Sequence, residues 1–230
     1  MNMANNGAKY GVDQYRFALN FDLKDKSFVI SADGKKFALS FAGLDQASLA
    51  VGNGVETFDY ECLKLEKDTY FVCFGSNIAV LELKHKAATL VLPGGYVFGE
   101  IELTGQAPPD DHHSFTDGMT GTGVRWMLGC DKYMDRIYHS ADKCRTAWSP
   151  KDGEFAVQPA TYVSIKDGIY LVDVAGPTPG NTCAPPGCDR VVTLEDYERM
   201  LVVGCAYAGD DVILFSGFGA FPDFDQALFT

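Results

Sequence analysis

Between Lys132 and His139 the chain reads Lys-Tyr-Met-Asp-Arg-Ile-Tyr-His, and this run holds most of the chemistry the sequence offers. In an extended strand alternate side chains point to opposite faces. Lys132, Met134, Arg136 and Tyr138 then share one face, and Tyr133, Asp135, Ile137 and His139 the other. Facing inward, Arg136 and Tyr138 supply a cation and a phenol able to polarise a carbonyl. The other face supplies Asp135 and His139 as an acid–base pair; an ordinary charged outer surface is the third reading. Arg136, Tyr138, Asp135 and His139 are therefore the catalytic candidates. Tyr60 and Lys64, which share a face with Cys62, join Trp126, Met134, Trp148 and Tyr170 as candidate substrate-binding residues. The two tryptophans serve either as core packing or as stacking walls for a ligand.

Other chemistries find little support. No nucleophile elbow, P-loop, zincin or dinucleotide fingerprint is present, and Gly118-Met-Thr-Gly-Thr-Gly123 has neither the spacing nor a following helix. Asp110-Asp111-His112-His113 reads as a solvated linker, since adjacent histidines on a strand cannot both turn inward or chelate without a third ligand. Cys183-Ala-Pro-Pro-Gly-Cys188 reads as a loop holding a disulfide or free thiols, with a zinc half-site as the alternative. The other cysteines read as reduced, buried thiols. No metal and no cofactor is expected.

Strands must position these residues. Short apolar runs with period-two alternation, broken by Asp-Gly, Gly-Asn and Pro-Gly, predict β meanders. In the first half the strands fall near 26–32, 35–42, 57–66, 69–74, 78–83 and 87–92, with Ala32-Asp33-Gly34-Lys35 as a hairpin. In the second they fall near 123–129, 132–139, 143–148, 160–165, 168–174, 199–207 and 211–216. A short helix is expected at Thr193–Arg199, capped by Thr193 and Asp196, and a long loop or lid over 176–192. The division is a flexible N-terminus at 1–15, a half at 16–107 and a half at 108–230. A net charge of −12, with no Lys/Arg cluster, disfavours nucleic acid. No stretch reaches the roughly 18–20 apolar residues of a membrane span, so a cytoplasmic protein is expected.

The halves look alike. Lys67-Asp68-Thr69-Tyr70-Phe71-Val72 resembles Lys166-Asp167-Gly168-Ile169-Tyr170-Leu171-Val172, and Lys36-Phe37-Ala38-Leu39 resembles Lys132-Tyr133-Met134-Asp135. This predicts an internal duplication and an all-β antiparallel barrel architecture, as two small barrels or as one barrel built from both halves.

The first half carries Tyr60, Asp68-x-Tyr70-Phe71-Val72 and Ala79-Val80-Leu81-Glu82. The second carries Tyr133-x-x-x-Ile137-Tyr138, Thr146-x-Trp148, Gly168-x-Tyr170, Asp196, Met200, Gly204 and Gly217-Phe218-Gly219-Ala220. In these residues the chain resembles the MoaF-like family over most of 20–221, departing from it at Met134-Asp135-Arg136, where members tend to have a histidine. The resemblance implies two calycin/lipocalin-like barrel halves. More distantly the chain is similar to phenolic acid decarboxylases and to small fungal hetero-Diels–Alderases. These imply a cofactor-independent enzyme of natural-product biosynthesis that holds an apolar aromatic or terpenoid molecule in a cavity and steers a cyclisation. A carrier or sensor and a decarboxylase are the alternatives. A homodimer would cover the Phe218, Phe221, Phe224 and Phe229 tail.

Overall fold

The computed structural model of the protein describes residues 10–12, 14–102, 112–148, 155–177, 185 and 187–229. It divides into two compact units, residues 18–114 and residues 115–230 together with 2–17.

The first unit is a closed antiparallel barrel of eight strands. They are β1 (Ser27–Ala32), β2 (Lys35–Ala42), β3 (Gln46–Val51), β4 (Gly54–Glu66), β5 (Thr69–Phe74), β6 (Asn77–Glu82), β7 (Ala87–Leu92) and β8 (Gly95–Ile101). Each pairs with the next, and β1 pairs with β8 to close the ring. Closure leaves the first ring no free sheet edge. Ala32-Asp33-Gly34-Lys35 forms the expected tight hairpin, with φ of 49° at Asp33 and 73° at Gly34, the left-handed pair that matches strand twist. Alternation drives Phe28, Ile30, Phe37, Leu39, Phe41, Tyr60, Val72, Phe74 and Leu81 into one apolar core. A recess of about 340 Å³ opens among Leu49, Phe58, Asn77 and Leu92, near the Ser76 and Pro93 turns.

A short β9 (Ser114–Phe115) precedes the second ring. That ring comprises β10 (Gly123–Gly129), β11 (Lys132–Ser140), β12 (Lys143–Trp148), β13 (Ala156–Lys166), β14 (Ile169–Ala175), β15 (Cys188–Asp196), β16 (Leu201–Ala208) and β17 (Asp211–Ala220). Again each strand pairs with the next, and β10 pairs with β17. There are thus two barrels of the same topology, not one shared between the halves.

The rings correspond strand by strand in order and pairing, β1–β8 to β10–β17. The β4–β5 and β13–β14 hairpins match at an offset of one hundred residues: Cys62 faces Val72 as Tyr162 faces Val172, and Lys64 faces Tyr70 as Ser164 faces Tyr170. Both hairpins carry a register irregularity at the same place, 64/66 and 164/166.

Several expectations change. Thr193–Asp196 is the end of β15, not a helix; the chain turns only after it, with Asp196 accepting from the Glu198 and Arg199 amides. Strands β3, β8, β9 and β15 were not expected, and β15 takes residues 188–192 out of the proposed loop. The N-terminal segment is not loose where it is described: Val12 is fully buried in the second barrel's core, and the Phe17 amide donates to Ser216 Oγ. Residues 1–9 and 13 lie outside the described residues. In the tail, Phe218 and Phe221 are exposed, but Phe224 and Phe229 fold over Gly123 of their own barrel.

The closing seam of each ring depends on glycine. A Cβ at Gly99 would lie 2.5 Å from Ile30 Cγ2, and one at Gly217 would lie 2.1 Å from the Met127 carbonyl oxygen. Gly217→Ala is therefore expected to destabilise the second barrel by about 2–3 kcal/mol, as overpacking does. Urea unfolding followed by tryptophan fluorescence checks this, because both tryptophans lie in that barrel; an unchanged midpoint would show that the seam has room.

Candidate active site in the second barrel

Alternation along β11 turns Met134, Arg136 and Tyr138 into the barrel. Cross-strand pairing then builds interior rows. Trp126, Met134 and Trp148 form one, and Val124, Arg136 and Thr146 the next. A third row holds Tyr138, Cys144 and Gln158. From the other wall come Thr193, opposite Val172 and Gly204, and Glu195, opposite Tyr170 and Val202. β11 and β15 are the second and sixth strands of an eight-stranded ring. They face each other across the barrel lumen.

Arg136 spans this lumen. Its Nη1 donates to Glu195 Oε1 and to Thr193 Oγ1, both at 2.5 Å, and both ionic side chains are wholly buried. Thr193 Oγ1 donates to Glu195 Oε1 at 2.7 Å. The other carboxylate oxygen, Oε2, accepts from the Tyr138 hydroxyl and, at 3.0 Å, from the Tyr197 hydroxyl. Glu195 is thus held by four donors. Arg136 is only half satisfied, since Nε and Nη2 have no partner among the described residues. The indole Nε1 atoms of Trp126 and Trp148 are likewise buried without an acceptor.

Burial alone would push the Arg136 guanidinium toward neutrality, but the adjacent Glu195 carboxylate reverses this and holds it firmly cationic. Burial, reinforced by Glu195, raises the Tyr138 phenol well above its ordinary value; burial, then Tyr138 and Glu195, does the same for Tyr197. Burial pushes the Cys144 thiol up to about 11. Both phenols therefore remain proton donors at neutral pH. Aromatic rings line the same end: Tyr197 lies 5.8 Å from both Trp126 and Tyr170, and Tyr138 lies 5.6 Å from Tyr162, all edge to face.

Six of the ten candidate residues thus meet in one barrel: Arg136, Tyr138, Trp126, Met134, Trp148 and Tyr170. The other four do not. Asp135 faces away from the lumen and is clamped by Arg125 through two hydrogen bonds of 2.7 Å. His139 lies four residues along the strand, about 13 Å away, so the expected Asp135/His139 acid–base pair does not form. Tyr60 belongs to the first barrel's core, where its hydroxyl is buried without a partner. Lys64, in the same barrel, is tied to Asp22 at 2.5 Å and sits over the Tyr70 ring.

Glu195 and Tyr197 escaped the sequence reading, because Thr193-x-x-Asp196 resembles a helix cap. The usable signal was the alternation of Val191, Thr193, Glu195 and Tyr197 running on from a β-branched stretch.

Among the histidines, His113 is buried and its Nδ1 lies 2.7 Å from Thr89 Oγ1, whereas His112 is exposed, 3.8 Å from Glu100. The solvated-linker reading therefore fails for His113. Among the described residues no cluster of His, Cys, Asp and Glu could hold a metal. Cys183 lies outside them, and Cys188 is buried at the start of β15 rather than in a loop.

The first barrel is an internal control for this site. Pairing places Leu39 where the second barrel has Arg136, and Phe41 where it has Tyr138. By the same matching Ala79 stands for Thr193 and Leu81 for Glu195. The fold closes without any of the polar groups.

No family model matches the chain, and no curated protein does.

Glu195→Leu alone would strand a buried guanidinium and is expected to cost about 3–5 kcal/mol. Adding Arg136→Leu, which copies the first barrel, is expected to return stability to within about 1 kcal/mol of the wild type. Urea titrations of the single and double variants measure this. A double variant as weak as the single one would mean that the pair is needed for folding.

His113 gives a separate pH test. Burial lowers its pKa from 6.5 to about 3, so between those values the unfolded chain binds a proton that the folded one refuses. Stability should fall by about 1.4 kcal/mol per unit as pH drops through that window. Hydrogen exchange of the β7 amides should show that slope flattened in His113→Asn.

Proposed function

We propose that the second barrel is a cofactor-independent enzyme for a small unsaturated organic molecule. The molecule's acceptor oxygen docks on Arg136, its body lies among Trp126, Trp148 and the tyrosines, and the barrel steers a cyclisation of the hetero-Diels–Alder type. This agrees with the MoaF-like resemblance, and natural-product biosynthesis in the cytoplasm is the setting we assign. One observation carries the reading. A wholly buried arginine keeps two donor nitrogens unpartnered among the described residues, at a position where the sister barrel has leucine. Leaving charged donors unsatisfied costs stability, and a fold that manages with leucine has no structural need of them.

The chemistry follows from the donors. Arg136 withdraws electron density from a conjugated carbonyl, which lowers the barrier to addition across the adjacent double bond. Holding two π-systems face to face removes an entropic barrier worth about 7–11 kcal/mol in the best intramolecular cases. Tyr138, Tyr197 and Thr193 orient Glu195, which in turn fixes Arg136. They act as positioning residues.

A second reading is a lyase for phenolic acids. It is favoured by Arg136 and Tyr138 meeting on one carboxylate, since decarboxylation needs a cationic clamp beside a group that can pass a proton.

The test offers the protein an o-quinone methide generated in buffer with an electron-rich alkene, and separately p-hydroxycinnamate, with products followed by chromatography. Faster cycloadduct formation, lost at least tenfold in the Arg136→Leu/Glu195→Leu variant, is the expected result. Release of 4-vinylphenol and carbon dioxide would replace the cyclase by the lyase. A molecule retained one to one and released unchanged would make the barrel a carrier.

A further inference from the structure

Two arginines in this protein close their Nε/Nη2 edge on both oxygens of an aspartate, and Arg199 closes the same edge on Asp196 Oδ2 alone. Arg125 grips Asp135 through Nε at 2.7 Å and Nη2 at 2.7 Å. Arg190 grips Asp173 through Nε at 2.9 Å and Nη2 at 2.6 Å. In both, the same edge of the planar group meets the two oxygens of a carboxylate, the fork geometry that suits arginine and not lysine. Arg136 differs from all of these. It spends Nη1 on Glu195 and Thr193, and keeps the Nε/Nη2 edge without a partner inside the barrel.

The geometry points to a planar two-oxygen group on the substrate, a carboxylate, bound side-on by Arg136 Nε and Nη2. This rests on the second barrel being the functional one and names the substrate class: an unsaturated organic acid.

Three further observations agree with a carboxylate. The unpartnered buried polar atoms on the barrel's inward-facing positions are mostly donors: Arg136 Nε, Arg136 Nη2, Trp126 Nε1 and Trp148 Nε1, against one acceptor, Gln158 Oε1. Such a set selects a ligand rich in acceptors. Trp126 and Trp148 flank Met134 in the row next to Arg136, so their N–H groups belong to the same region of the wall. Finally, a second carboxylate beside Glu195 is tolerable only if Glu195 does not depend on Arg136 alone. It receives hydrogen bonds from Thr193, Tyr138 and Tyr197 as well. Three neutral donors carry the Glu195 charge while the guanidinium is shared between two carboxylates. This explains why one glutamate has four donors and its arginine partner an open edge.

The side-on fork also bears on reactivity. A carboxylate conjugated to a double bond and held by two charge-assisted hydrogen bonds loses electron density to the cation. The double bond then accepts electrons more readily.

The experiment uses the whole chain. Formate, benzoate and cinnamate are titrated by calorimetry against benzamide and methyl cinnamate, and the Nε–H resonance of Arg136, identified by its loss in Arg136→Lys, is followed by nitrogen–proton correlation. The expected result is one-to-one binding of the acids at least tenfold tighter than of the amide and ester, with a displaced Nε–H signal. Arg136→Lys, which keeps the charge and loses the fork, should lower acid affinity at least tenfold. The acid-to-ester ratio in the wild type is decisive even if that variant does not fold. Esters that bind as well as acids and move the same resonance would overturn the carboxylate assignment while leaving Arg136 as the docking group. If neither class moves the resonance, both the assignment and the functional reading of this barrel fall.

Discussion

A guanidinium and a carboxylate placed across the lumen of an apolar barrel are the constraint around which the second half of this chain is arranged. Removing two charges from water costs several kcal/mol each after relaxation, and their attraction repays this only when geometry and additional hydrogen bonds are good. On the glutamate side the requirement is met in full, by Arg136, Thr193, Tyr138 and Tyr197. On the arginine side it is met by half. The asymmetry matters more than the pair itself, because a merely structural ion pair would gain from closing both sides.

Barrel geometry makes the pair span the lumen. Strands two and six of an eight-stranded ring face each other, and the interior is about as wide as two long side chains laid end to end. Arginine has the reach to cross it. Gly204 lies opposite Thr193, where a Cβ would come within 2.5 Å of the Val192 carbonyl oxygen and 2.7 Å of Thr193 Cγ2. The absence of a side chain at Gly204 thus leaves Thr193 free to meet Arg136 and Glu195. In the first barrel the same lumen is filled by Leu39, Phe41, Phe74 and Leu81, and nothing has to cross.

The barrels were legible in the sequence where alternation was strong, and the missed strands show what hides one. β3 reads Gln-Ala-Ser-Leu-Ala-Val and β8 contains Gly95 and Gly99, so neither presents the bulky alternation that marks a strand. β15 was hidden twice. Its end imitates a helix cap, and the stretch before it, 176–187, replaces the two-residue turn Gly75-Ser76 of the first half, which breaks the hundred-residue offset that would have announced it. The duplication was visible, but one of its alignments slipped. Setting Lys36-Phe37 on Lys132-Tyr133 pairs inward Phe37 with outward Tyr133, whereas the hairpin registers place Phe37 with Met134. A slip of one residue exchanges the two faces of a strand, which is why Leu39 and Arg136 did not emerge as equivalents. Arg136 and Tyr138 were readable from spacing; Glu195, distant in sequence and on an unrecognised strand, was not.

The choice of neutral phenols to hold Glu195 has a chemical consequence. Burial keeps Tyr138 and Tyr197 protonated far beyond neutral pH, and Arg136 stays cationic, so no group among the three changes charge in the physiological range. A site built this way supplies a fixed field rather than a proton shuttle. Fixed fields suit a cycloaddition, in which electrons move and protons need not. A lyase must in addition deliver a proton to carbon, and in this barrel that proton would come from a tyrosine hydroxyl whose loss burial opposes. Of the two proposed reactions, the same buried hydrogen-bond network is therefore better suited to the cyclisation, which asks no group in it to give up a proton.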